Sequence, residues 1–94
     1  MLRKSIPKPL REAVWRKDNN KFIDGKCWVC KSNSINAFNF ECGHIISRKR
    51  GGDDSLNNFH AICSLCNKSM GDKNMLDFKE IIWKGRKKNF CIII

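Results

Sequence analysis

No run of apolar residues in this 94-residue chain approaches the roughly 18 that a membrane-spanning helix requires. No membrane association is therefore expected. The start, Met1-Leu2-Arg3-Lys4-Ser5-Ile6-Pro7, also lacks the apolar stretch of a secretory signal. Nothing favours an oxidising compartment, and the expected location is intracellular. Internal repeats, low-complexity blocks and interdomain linkers are missing too, which points to one domain over residues 1–94. Acidic residues are scarce, 9 against 19 Lys and Arg, for a formal charge of +10. That excess on so small a surface points to a polyanionic partner, nucleic acid first. It disfavours a protein-interaction module.

A chain this short buries only about two thirds of the surface its unfolded form exposes, so it needs a staple. Four of its six cysteines supply one: Cys27-Trp28-Val29-Cys30 and Cys63-Ser64-Leu65-Cys66. Each pair forms a knuckle able to aim two sulfurs at one point, and two knuckles give tetrahedral coordination of Zn²⁺ at a metal–sulfur distance of about 2.3 Å. A redox dithiol would need only one pair, and structural disulfides lack the compartment. The wide gap between Cys30 and Cys63 means that the ion closes a loop holding a functional insert. Cys42 reads as a small apolar residue on a strand.

Pro7 and Pro9, with Leu10, Ala13, Val14 and Trp15, predict an amphipathic helix over 8–17 ended by Asp18-Asn19-Asn20, with Trp15 in the core. Asp24-Gly25 reads as a turn into the first knuckle. Phe38, Phe40 and Cys42 alternate with polar residues and predict a strand ending near His44. Arg48 to Ser55, with Gly51-Gly52, reads as a loop, and Phe59 to Ile62 as the returning strand. A helix starts at Ser64 and breaks at Gly71. Asp72 caps the next, over 73–83, whose stripe is Met75, Phe78, Ile81 and Ile82. Residues 84–94 form a basic tail. The fold class that results is α+β.

The run Glu41-Cys42-Gly43-His44-Ile45-Ile46, then Gly51-Gly52, Leu56, Asn58, Cys63-Ser64-Leu65-Cys66 and Asn67, resembles the HNH endonucleases. The resemblance covers about residues 27–75 and implies their ββα-metal, treble-clef-like fold, zinc-stapled here, with a helix before and a helix after. The extended form, with Ser69-Met70-Gly71 and Asn74-Met75, looks most like HNH proteins of large DNA viruses. The resemblance implies metal-dependent hydrolysis of DNA phosphodiester bonds, with little sequence reading.

It makes His44 the general base, a role that an imidazole of ordinary pKa near 6.5 can fill at neutral pH. Asn58 would orient His44 through the facing strand, and Asn57 would be a turn residue. Asn67 would ligate a catalytic Mg²⁺ or Mn²⁺, fixed in place by its neighbour Cys66. Where the family carries an acidic metal ligand this chain has Gly43. Glu41, two residues earlier on the same strand face, is the replacement candidate, with Asp53 and Asp54 behind it. Arg48, Lys49 and Arg50 would hold the DNA backbone. His60 reads as a surface or cross-strand side chain.

Lys84, Arg86, Lys87 and Lys88 read as a solvated or DNA-contacting run. Cys91-Ile92-Ile93-Ile94 formally fits a prenylation box with an unusual last residue, so packing of this end on the domain or a partner is the simpler reading. A single copy of the site implies nicking unless the protein forms a homodimer. The competing function is a DNA-binding zinc module with reduced catalysis and a packaging or scaffolding role.

Overall fold

The computed structural model describes residues 6–20 and 23–93, the last eight of these by their backbone alone. The order is α1 (Lys8–Asn19), β1 (Asp24–Lys26), β2 (Ser34–Asn36), β3 (Glu41–His44), β4 (Phe59–Ile62), α2 (Ser64–Met70) and α3 (Met75–Ile93). The architecture is small α+β, with two antiparallel two-stranded sheets, β1 with β2 and β3 with β4. None of the helices among the described residues is long and apolar enough to cross a membrane.

Proline sets the start of α1: Pro7 precedes it, its carbonyl accepting from Arg11 N–H at 3.0 Å, and Pro9 lies in the first turn. Val14 and Trp15 are buried, as the spacing predicts. The helix runs two residues past its expected end because Asp18 has a tertiary use. Its Oδ2 accepts from Ala61 N–H at 2.6 Å, while Lys17 Nζ donates to Phe59 O at 2.6 Å. On the same strand, Trp28 N–H donates to Ala61 O at 2.9 Å. Groups of β4 that β3 leaves unpaired thus find partners on α1 and the first knuckle.

Three-residue strands carry too little periodicity to be seen in sequence: β1 stands where Asp24-Gly25 reads as a turn, and nothing in the sequence marks β2. They pair in the register Asp24↔Asn36 to Lys26↔Ser34, with Cys27 and Cys30 in the connection. β3 and β4 match the expected pair, with Glu41 opposite Ile62 and His44 opposite Phe59. Phe38 corrects the predicted strand start: it lies in the turn before β3 and is 84% exposed.

Gly71 ends α2 as expected, with a φ of 59°. The next cap is Asn74 rather than Asp72: Asn74 Oδ1 accepts from Leu76 N–H at 2.9 Å, whereas Asp72 pairs with Lys49. α3 begins at Met75 and stays helical through Ile93, so residues 84–93 are helix rather than tail. The side chains from Arg86 onward, that of Cys91 included, lie outside the described ones. The stripe also shifts. Met75 and Phe78 are buried and Ile82 packs beside them, but Ile81 is 59% exposed. Lys79 Nζ donates to Trp28 O at 2.9 Å and Trp83 Nε1 to Val29 O at 3.1 Å, docking α3 on the first knuckle.

Candidate functional site

The sulfurs of Cys27, Cys30, Cys63 and Cys66 lie within 4.8 Å of one another, and all four residues are buried. One knuckle lies between β1 and β2. The other lies where β4 passes into α2, so the cluster joins both sheets. Backbone N–H groups of Cys30 and Cys66 donate to Cys27 and Cys63 Sγ at 3.5 and 3.4 Å. Asn33 donates twice, its N–H to Cys30 Sγ at 3.5 Å and its Nδ2 to Cys63 Sγ at 3.3 Å, linking the knuckles. Burial pushes the Cys27 and Cys66 thiols up. Burial raises Cys30 too, but donors at Asn33 and Ser32 outweigh it and bring that thiol down to about 6. Convergent, N–H-solvated sulfurs are what a soft divalent ion needs, and the four cysteines can hold a metal such as zinc.

At the far end of β3, His44 sits with its ring tilted on Phe59, centroids 4.6 Å apart. Its Nε2 meets Asp54 Oδ1 at 2.8 Å, and its side chain is 22% exposed. Arg48 holds the same carboxylate, Nε to Oδ1 at 3.2 Å and Nη2 to Oδ2. The hydrogen bond from His44, with Arg48 behind it, lowers the Asp54 carboxyl below its ordinary value. Opposite an ionised carboxylate Nε2 is the donor, which turns Nδ1 to the other side of the ring.

Asn58 builds the loop that brings Asp54 to His44. Its Oδ1 accepts from Ile46 N–H at 2.9 Å, and its Nδ2 donates to Ile46 O and Asp53 O, both at 2.9 Å. Its carbonyl accepts from Ile45 N–H at 2.8 Å. Asn58 therefore acts on the backbone around His44, not on the imidazole. The glycine pair has two separate reasons. Gly51 has a φ of 96°, in the left-handed region, and a Cβ on Gly52 would lie 1.7 Å from Ile46 O.

Gly43 lies opposite His60 on β3, and a Cβ there would meet Ile62 Cδ1 at 2.4 Å and Met75 Cε at 2.9 Å. The side where the family carries an acid is thus filled by apolar side chains. Glu41 shares that strand face by alternation, and His44 takes the other. Asn67 is half-exposed on α2, its N–H donating to Cys63 O at 3.0 Å within the second knuckle.

The three cations expected on the DNA backbone each have an internal partner. Arg48 holds Asp54, Lys49 Nζ lies 3.6 Å from Asp72 Oδ2, and Arg50 Nε donates to Asp72 O at 2.9 Å. All three remain exposed. His60 proves to be a joint: its ring stacks on Trp28 at 3.6 Å, and Nδ1 meets Asp18 Oδ1 at 3.0 Å. Asp54 is the residue sequence reasoning undervalued, weighed as a spare metal ligand when it is the histidine's partner. Burial raises the thiol of half-buried Cys42.

No curated protein and no solved structure matches the chain significantly. The family model described as HNH endonuclease matches residues 27–73, half of the chain. Membership implies a nuclease-type activity. The matched span takes in both knuckles and the whole loop from His44 to Asn58, so the chemistry-bearing part of the molecule is the part by which this chain belongs to the HNH endonuclease family.

Proposed function

We propose that the chain is a metal-dependent endonuclease that hydrolyses DNA phosphodiester bonds with His44 as the general base. The observation that carries this reading is the His44–Asp54 pair, which directs one ring nitrogen to a carboxylate and leaves the other to accept a proton. Asp54 fixes the tautomer and compensates the imidazolium that forms when Nδ1 takes a proton from water. Arg48 holds Asp54 in place, and Asn58 holds the loop. A divalent ion such as Mg²⁺ or Mn²⁺, when bound, supplies stabilisation of the phosphate charge and the leaving 3′ oxygen. Asn67 would be its ligand on α2 and Glu41 the carboxylate candidate. The cysteine cluster keeps its structural Zn²⁺ and takes no part in the chemistry. A single site of this kind nicks one strand; cutting both needs two copies.

Gly43 favours a second reading, a DNA-binding zinc module with lost or reduced catalysis, because Ile62 and Met75 line the space beside it. Purified protein incubated with supercoiled plasmid and Mg²⁺ or Mn²⁺, beside His44→Ala, separates the two. Nicking by the wild type, reduced about 100-fold or more in the variant, is the expected result. Plasmid retardation without nicking under either metal would select the binding module. Impaired cleavage by Glu41→Gln would assign that residue to the ion, and unimpaired cleavage would exclude it.

A further inference from the structure

The turn that joins β2 to β3 faces α1 across a groove of about 670 Å³. Its walls carry Lys8, Arg11 and Arg16 from the helix and Phe38 from the turn, over a floor that includes Trp15 and Phe40. We propose that this groove is a second nucleic-acid subsite that takes an unpaired stretch of strand, a base stacking on Phe38 and phosphates resting on Lys8 and Arg16.

Several observations converge on that ligand. Phe38 is 84% exposed, yet its backbone is held: its N–H donates to Asn36 Oδ1 at 2.9 Å, and Asn39 N–H to Asn36 O at 3.0 Å. An aromatic ring presented on an ordered turn and covered by nothing among the described residues offers a stacking face. Arg11 is committed to the floor, its guanidinium 4.0 Å from the Phe40 ring centroid and its Nη2 donating to Phe40 O at 2.7 Å. Lys8 and Arg16 are exposed, and their side chains make no ion pair or hydrogen bond among the described residues. Glu12 is the single acidic side chain in the lining, so the groove is cationic with an apolar base.

This combination, a positive track beside an aromatic platform, suits single strands. A paired base keeps its faces inside the duplex stack and cannot offer one to Phe38. The position also suits a strand leaving the catalytic end. Cys42 and His44 share one face of β3, and α1 is fastened to this hairpin by Arg11, which bonds Phe40 O just before β3, and by Asp18, which accepts from Ala61 N–H opposite Cys42. Lys17, near the C-terminal end of α1, bonds Phe59, the residue opposite His44. α1 thus runs between Phe59, the strand partner of His44, and the groove that Phe38 borders. The inference deepens the nuclease reading by naming its substrate class, DNA with an unpaired segment next to the cut.

Fluorescence anisotropy with zinc-loaded protein, without added Mg²⁺ or Mn²⁺, tests it on a labelled blunt duplex and the same duplex bearing a short single-stranded overhang. Wild type should prefer the overhang, and Phe38→Ala should lose about fivefold or more on that substrate alone, with Phe38→Trp restoring it. Lys8→Glu and Arg16→Glu should each lower the salt slope for the overhang substrate by about 0.7. Equal binding of both substrates by the wild type, or a Phe38→Ala variant that keeps the preference, would overturn the proposal. Because cleavage is not read, its outcome stands apart from that of the plasmid assay.

Discussion

The two ends of β3–β4 are ordered by opposite means. At the Ile62 end the chain passes directly into Cys63, where four buried sulfurs converge and Asn33 ties one knuckle to the other. At the His44 end order comes from polar groups: Asn58 spans Ile46 and Asp53, and Asp54 bridges His44 and Arg48. A single strong centre makes the first end all-or-none. A set of individually modest hydrogen bonds makes the second adjustable. The lesson is a division of labour, with one end deciding whether the domain exists and the other whether its histidine is aimed.

The comparison breaks first at the metal. Chelation, or Cys63→Ser, should abolish cooperative unfolding altogether, because a structural zinc on four thiolates would supply an apparent binding free energy of about 10–16 kcal/mol, about the whole stability of a small domain or more. Circular dichroism with metal add-back checks this. Burial drives Cys27 and Cys66 toward the protonated form in metal-free protein, so zinc uptake should release protons, seen by calorimetry in buffers of different ionisation enthalpy. Binding, and the stability it carries, should fall as pH falls.

Asn58→Ala should cost less, about 2–3 kcal/mol, by stranding Ile46 and Asp53 backbone groups. Denaturant unfolding reads that loss, while zinc content stays at wild-type level. Zinc loss in this variant would show that the ends are not separable. The smallest effect belongs to Gly43→Ala, about 1 kcal/mol, since the obstructing Ile62 Cδ1 and Met75 Cε are side-chain tips that can give way. A far larger cost in the same unfolding experiment would mean that the core face of β3 is as unyielding as the zinc centre.

The cysteine end was nearly all legible in the sequence, because Cys-x-x-Cys spacing encodes geometry locally. β3, β4 and the break at Gly71 were legible for the same reason, in alternation and a breaker. What escaped depends on contacts between distant residues. Asp54 meets His44 ten positions away only because Gly51 takes a positive φ and Asn58 pins the loop behind it. Asp18 looks like a helix-ending residue until Ala61 N–H is found on its carboxylate. Asn74 caps α3 where the sequence points to Asp72, because the helix begins only at Met75, within reach of Asn74 Oδ1 for the Leu76 and Asp77 N–H groups. Short β1 and β2 owe their pairing to the knuckle they flank rather than to their own composition.

The lateral margin of β4 has one further consequence. Lys17, Asp18 and the Trp28 amide occupy hydrogen-bonding positions along it that another chain's extended segment would need. A newcomer cannot lengthen the ribbon on that flank without first prising away α1 and the first knuckle. Neighbouring copies therefore have no ready template for edge-to-edge aggregation on that flank.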